Sequence, residues 1–204
     1  KLLQKYASEK CGVIISLEKH LPMGGGLGGG SSNAATTLVA LNSLWDCGLS
    51  KHVLAELGLM LGADVPVFIY GYAAWAEGVG EKLTAISPRE PWYLVVVPDC
   101  HVSTAKVFSS PVLTRDCDSM TIAGFLSGEG RNVCEEVVRN DYPPVAEVMD
   151  WLEHYAEPVM TGTGACVFAS FDSQQDAQKV MNELPSKWQA FIAKGCNQSP
   201  LYRN

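Results

Sequence analysis

Leu21-Pro22-Met23-Gly24-Gly25-Gly26-Leu27-Gly28-Gly29-Gly30-Ser31-Ser32-Asn33 places six glycines in seven consecutive positions and follows them with two hydroxyls. Glycine admits positive φ and lets backbone approach a ligand closely. Directly after the run, Ala34, Leu38, Leu41 and Trp45 recur at three- and four-residue steps, which predicts a helix over Ser31–Trp45. A helix start offers free N–H groups and the positive end of the dipole, so a glycine loop entering it is an anion site. Ser31 and Ser32 add hydroxyls that can meet phosphate or ligate Mg2+. A flexible linker would not carry Pro22-Met23 before the run, Leu27 within it and a strong helix behind it.

Two nucleotide chemistries remain. Gly24, Gly26 and Gly29 satisfy G-x-G-x-x-G, the dinucleotide fingerprint of an NAD(P) oxidoreductase. The surrounding unit argues against it. A second helix is predicted where a parallel strand should follow, and Asp46, the acid at about the right spacing, sits at a helix end. The other chemistry is phosphoryl transfer from ATP, though not through a Walker loop, because no Gly-Lys-Ser/Thr follows.

Outward from the loop, the pattern alternates helix and strand. Residues 1–9 read as a helix and Gly12–Leu17 as a strand. Ser50 caps a helix that runs to about Leu61, with Val53, Leu54, Leu57 and Met60 on one side. Val67–Tyr70, Tyr72–Glu77 and Tyr93–Val97 read as strands, and 103–109, 119–126 and 131–139 as short helices. Pro143–Tyr155 is a longer helix with prolines in its first turn. Val159–Thr161 and Ala165–Phe171 are strands around a glycine turn, residues 172–184 form a helix, and Phe191–Ala193 is a last strand. Ser87-Pro88-Arg89-Glu90-Pro91 marks the expected domain boundary, giving domains 1–88 and 89–204.

Composition removes several classes. The 204 residues are 47% hydrophobic, enough for a buried core, and carry a net charge of −7 without a Lys/Arg run, which argues against a nucleic-acid partner. No apolar run reaches the roughly 18 residues of a membrane span, and no secretory leader is evident. The seven cysteines, at 11, 47, 100, 117, 134, 166 and 196, form no C-x-x-C pair, which suits free thiols in a cytoplasmic protein better than disulfides or zinc. Trp45, Trp75, Trp92, Trp151 and Trp188 read as packing; His20, His52, His101 and His154 fit no motif.

Asp64 stands out in Gly62-Ala63-Asp64-Val65-Pro66-Val67-Phe68. It follows a predicted helix end, where the dipole disfavours a carboxylate, and Pro66 biases Val65 to an extended conformation, so a turn into a strand is expected. The residues alone leave open a turn-forming Asp and a catalytic base.

In its glycine loop the chain resembles the GHMP kinases. The doubled glycine triplet resembles, among them, the 4-diphosphocytidyl-2-C-methyl-D-erythritol kinases. The likeness continues through the Asp64 motif, Ala76-Glu77-Gly78-Val79-Gly80-Glu81, Thr161-Gly162-Thr163-Gly164-Ala165-Cys166 and Lys194-Gly195-Cys196-Asn197-Gln198-Ser199-Pro200-Leu201. The resemblance implies a two-domain α+β fold. Its amino-terminal ATP-binding domain would be ribosomal protein S5 domain 2-like, its carboxy-terminal substrate domain ferredoxin-like, with the substrate between them. It implies ATP and Mg2+, phosphorylation of the 2-hydroxyl of 4-diphosphocytidyl-2-C-methyl-D-erythritol in the non-mevalonate isoprenoid route, and a monomer or homodimer.

The resemblance makes Asp64 the catalytic base, with a nearby Mg2+ held by Ser31 or Ser32 keeping it ionised. It assigns ATP to Lys19, Pro22, Met23, Gly24, Gly25, Gly26, Leu27, Gly28, Gly29, Gly30, Ser31, Ser32 and Asn33. Thr104 and Phe108, at i and i+4 on one helical face, would meet the diphosphocytidyl group, with Phe108 stacked on cytosine. The residues alone leave Phe108 open as a core side chain. Gly162 and Gly164 would support the phosphate loop, although by themselves they make an ordinary turn. The family also uses an amino-terminal Lys and a Tyr-His pair, which have no counterpart in this stretch of chain. Lys1 to Ala7 begins in mid-pattern without a Met or a cap. The chain alone is therefore expected to be weak or inactive, since losing one phosphate-facing group can cost roughly 10²–10³ in rate. A nucleotide-binding module without catalysis is the remaining alternative.

Overall fold

The computed structural model describes residues 1–9 and 12–202. The chain divides into two compact units, one of residues 1–20, 28–88 and 196–204 and the other of 21–27 and 89–195. Besides Pro88, the chain passes between the units at three further places. The first half of the glycine loop belongs with the second unit, and the carboxy-terminal nine residues return to the first.

The first unit is built on three helices, α1 (Gly29–Leu44), α2 (Lys51–Leu59) and α3 (Val65–Tyr70). Ala35 and Leu38 of α1, Leu54, Ala55 and Leu57 of α2, and Val65 and Ile69 of α3 form one buried cluster with Leu3 and Trp45. Ser50 caps α2 by accepting from the Val53 N–H at 3.3 Å. The Asn42 side chain both accepts from Leu49 N (3.0 Å) and donates to Leu49 O (3.1 Å), tying the α1–α2 connection to α1. A hairpin of β1 (Ala74–Glu77) and β2 (Lys82–Ala85) follows, with Trp75 opposite Thr84. The returning tail ends in a 3₁₀ turn, Pro200–Tyr202, whose Tyr202 hydroxyl donates to Ile69 O at 2.7 Å.

The second unit centres on β3 (Trp92–Val97) in a four-stranded antiparallel sheet of order β4-β5-β3-β6, where β4 is Pro158–Met160, β5 Val167–Phe171 and β6 Gln189–Lys194. Leu94 lies opposite Ala169 on one side and Ile192 on the other. The period-two pattern sends Leu94, Val96, Val167 and Ala169 to one face. There they join Val137 and Val138 of α6 (Cys134–Asp141), Val148, Met149 and Leu152 of α7 (Pro143–Glu153) and Val180 of α8 (Gln174–Asn182). Two short helices, α4 (Thr104–Ser109) and α5 (Ile122–Leu126), are capped by Ser103 and Thr121.

Several expectations are corrected. Residues 1–9 make turns rather than a helix. Gly12–Leu17 is not a strand: a strand needs a partner, none of the described residues pairs with it, and Ile14 is 95% exposed. Val67–Tyr70 is the body of α3, because Pro66 falls in a first turn that needs no N–H from it and Gly71 closes the helix in the left-handed region. The run was too short for periodicity to decide between helix and strand. The expected strand over Tyr72–Glu77 shortens to β1, and β2 and the 3₁₀ turn were not foreseen. Cys11 lies outside the described residues; the six described cysteines are free.

Gly58 gives a test of this packing. A Cβ there would lie 2.7 Å from Ile69 Cδ1 and 2.8 Å from Val65 Cγ1. Gly→Ala within a helix ordinarily stabilises, but overpacking at this crossing should reverse the sign. Gly58→Ala is expected to destabilise by about 1–3 kcal/mol, read as a lower midpoint in urea; a raised midpoint would contradict the packing.

Candidate functional site

In the first unit, positions expected from the sequence to be functional gather at the start of α1. Gly28, the N-cap, is left-handed at φ 65°, and no side chain caps the helix. The first intrahelical bond is Ser32 N to Gly28 O at 2.9 Å, so the N–H groups before it keep no helical acceptor. A Cβ on Gly28 would meet the Phe68 ring at 3.0 Å; α3 therefore backs the loop at that point. The Ser31 hydroxyl lies 3.9 Å from where a Cβ on Gly62 would stand, which brings the start of α1 beside the turn that carries Asp64.

Asp64 is itself the N-cap residue of α3, at φ −85° and ψ −7°, and its carboxylate makes no cap hydrogen bond. The expected unfavourable dipole is corrected: Asp64 stands at a helix start, where a carboxylate is favoured. It is exposed and open to an outside partner. The hairpin tip abuts this turn, since a Cβ on Gly80 would lie 2.7 Å from Ala63 O. Glu81 accepts from Val79 N at 2.7 Å, which fixes the tip, and backbone hydrogen bonds, its own and that from Val79, hold its carboxyl below the usual range.

In the second unit the first half of the loop is held by the third glycine motif. The Thr161 hydroxyl donates to Gly25 O at 2.7 Å, with Cys166 O as an alternative acceptor at 3.0 Å. Cys166 N donates to the same Gly25 carbonyl at 3.3 Å. Gly26, at φ 71°, has no room for a side chain: a Cβ would lie 2.6 Å from Thr161 O and 3.0 Å from Gly164 O. The turn is anchored by Asn132, whose amide donates to Met160 O (3.0 Å) and Gly162 O (2.6 Å) while its Oδ1 accepts from Cys134 N (3.0 Å). Sequence reading missed Asn132; its position just before α6, a helix-start signature, was the available signal.

Thr104 opens α4, and its hydroxyl lies 2.9 Å from that of Thr163 in the same glycine motif. Phe108 is 57% exposed, which removes the core alternative. Its neighbour Val107, buried, anchors the helix. Arg115 closes α4 by donating to Phe108 O (2.6 Å) and Ser110 O (3.1 Å), a role no local pattern announced. Lys19 lies exposed in irregular chain of the first unit. Pro22 is half-buried and Met23 exposed, both in the second unit; Asn33 lies in the first turns of α1, where its carbonyl accepts from the Thr37 hydroxyl at 2.8 Å. Each unit thus assembles its own share of the predicted residues.

The GHMP kinases N terminal domain matches residues 1–72 and the GHMP kinases C terminal domain matches 117–190. The solved 4-(cytidine 5'-diphospho)-2C-methyl-D-erythritol kinase superposes with a TM-score of 0.76 at 27% identity, over 88% of this chain and 69% of that one. The mevalonate kinase of Methanococcus jannaschii, at 14% identity, shares the fold with a TM-score of 0.60, over 87% of this chain and 66% of that one. Fold and loop define a GHMP kinase of the α+β class.

Among curated proteins, the 4-diphosphocytidyl-2-C-methyl-D-erythritol kinase of Nitrosococcus oceani is 60% identical over 98% of this chain and 71% of its own length. That of Methylococcus capsulatus is 56% identical over 99% of this chain and 70% of its own length. The chain belongs to the 4-diphosphocytidyl-2-C-methyl-D-erythritol kinase family. The dinucleotide reading of Gly24, Gly26 and Gly29 falls, because α1 runs into α2 without a parallel strand and the relatives are kinases. No helix among the described residues is long and apolar enough to cross a membrane.

Cys166 sits against the loop, 2.6 Å from where a Cβ on Gly25 would be, and burial, with the Cys100 thiol adding to it, pushes its pKa up to about 11. At pH 8 its thiolate fraction is then about 10⁻³, and only thiolate reacts. Alkylation of the folded protein should therefore modify the exposed Cys117 and Cys196 first and reach Cys166 only on unfolding. Equal rates at Cys166 and Cys117 by peptide mass mapping would contradict the burial of this contact.

Proposed function

We propose that the chain transfers the γ-phosphoryl group of ATP to the 2-hydroxyl of 4-diphosphocytidyl-2-C-methyl-D-erythritol, in the cytoplasm, as a step of the non-mevalonate route to isoprenoids. One observation carries the chemistry. Asp64 presents a carboxylate with no internal cap bond, in the turn that adjoins Ser31 at the open start of α1. An acceptor hydroxyl placed there meets a base and a phosphate site together.

The protein's part is positioning and charge stabilisation. The N–H groups from Gly28 to Ser31 and the α1 dipole hold phosphate oxygens. Pro22 to Leu27 contact the nucleotide, Asn33 extends the helix start, and Lys19 lies near the nucleotide. Asp64 orients the hydroxyl and takes its proton as the oxygen attacks. Thr104 contacts the substrate's diphosphocytidyl group, and the exposed Phe108 ring stacks on cytosine. Gly162 and Gly164 keep the third glycine motif compact behind Gly25 and Gly26.

Mg2+ fits this donor set. No cluster of three acidic, thiol or imidazole groups exists among the described residues, and Mg2+ is commonly held by few protein oxygens, with phosphates and water. Of the two candidate serines, Ser31 is the one beside the Asp64 turn and would hold the ion, which neutralises charge on the phosphates.

Substrate-dependent ADP release with Mg-ATP, read at the weak turnover expected of this chain, tests the assignment. Asp64→Asn should lower kcat by about 10²–10⁴ while leaving ATP affinity near wild type. Full activity in Asp64→Asn would remove the base. Phe108→Ala should raise KM for the cytidyl substrate about tenfold with little effect on KM for ATP; an unchanged KM would place cytosine elsewhere.

A further inference from the structure

The segment Pro98–Thr104 joins β3 to α4 and runs past the first half of the glycine loop, within the second unit. At its middle, the imidazole of His101 rests on Gly24. A Cβ built on Gly24 would lie 2.9 Å from His101 Nδ1 and 3.0 Å from its Cε1. The bare Cα face of Gly24 is thus the seat of the ring, so the loop and the imidazole occupy adjoining space by construction.

His101 is exposed, and it makes no hydrogen bond, ion pair or ring contact with the described residues. Its neighbours are committed. Lys106 pairs with Asp141 at 3.3 Å and stands over the Tyr142 ring, and Arg115 spends its guanidinium on the carbonyls of Phe108, Ser110 and Leu113. Thr104, three residues on, pairs its hydroxyl with Thr163. Along this strip, the chargeable donor left without a partner is the one set on the phosphate loop.

We propose that His101 is a phosphate-contacting residue of the kinase: its imidazole donates a hydrogen bond to a phosphate oxygen of a ligand lying along Pro22–Gly26. Two ligands of the reaction carry such oxygens, the nucleotide and the diphosphate of the cytidyl substrate. The inference rests on the kinase reading above. It adds a donor from a segment outside the glycine motifs, in a chain whose net charge of −7 otherwise repels phosphate.

Titration calorimetry on the wild type and on His101→Ala and His101→Gln tests it, with Mg-ATP against adenosine and cytidine diphosphate against cytidine. The wild-type titrations test the kinase reading by themselves, since failure to bind either phosphorylated ligand would sink that reading. Given wild-type binding, His101→Ala should weaken one phosphorylated ligand about tenfold and leave its nucleoside unchanged. The weakened ligand identifies the source of the phosphate. His101→Gln, which keeps a neutral donor, should recover part of the loss. Equal weakening of ligand and nucleoside would mean that His101 only shapes the loop, and unchanged affinity for both phosphorylated ligands would mean that it touches neither; both results overturn the proposal.

Discussion

The Gly25 carbonyl, held by the Thr161 hydroxyl at 2.7 Å and by Cys166 N at 3.3 Å, is the contact on which the glycine loop depends. Six glycines in seven positions would otherwise sample many conformers, and ordering each residue costs about 1–2 kcal/mol. A buried carbonyl with two donors has one satisfied arrangement, and leaving it unpaired is expensive. Gly26 then has to pass between Thr161 O and Gly164 O, where no side chain fits. The third glycine motif is therefore a clamp on the first. Asn132, bonded to Met160 O and Gly162 O, passes that constraint into α6 and the core of the second unit.

The second half of the loop answers to a different constraint. From Gly29 onward the chain is helix, and the left-handed Gly28 before it sits on Phe68 of α3. The short helix α3 does two things at once. Its buried Val65 and Ile69 pack on α2 against Gly58, and its N-cap presents Asp64 without a cap bond. A carboxylate that satisfied its own helix would have less to offer a substrate hydroxyl. In the proposed reaction the electrostatic frame is made of backbone, an open α1 start for phosphate and an α3 start for the base.

How far the residues alone reach depends on the range of the interaction. The helices α1, α2 and α7 were legible because Leu38, Leu41 and Trp45, or Leu54 and Leu57, carry the helical period over several turns and because Ser50 announces a cap. The glycine loop was legible because its chemistry is local. Val67–Tyr70 misled because four apolar residues carry no period, and Gly71 decides the matter only through the φ it adopts. Gly12–Leu17 misled because β-forming composition does not supply a partner strand. The roles of Asn132 and Arg115 were hidden because their acceptors are carbonyls, which every residue has. Phe108 could be separated from a core residue only by its exposure, a property of the fold around it rather than of its neighbours in sequence.

The clamp on Gly25 is tested most directly by Thr161→Val, which keeps the shape of the side chain and removes its hydroxyl. The measurement is substrate-dependent ADP release under Mg-ATP, taken with the melting temperature. The account predicts a fall in kcat/KM of about tenfold or more, the order expected for one lost bond to a buried carbonyl, with the fold retained. Wild-type turnover in a folded Thr161→Val variant would mean that the loop finds its working shape without the third glycine motif, and the central constraint described here would be wrong.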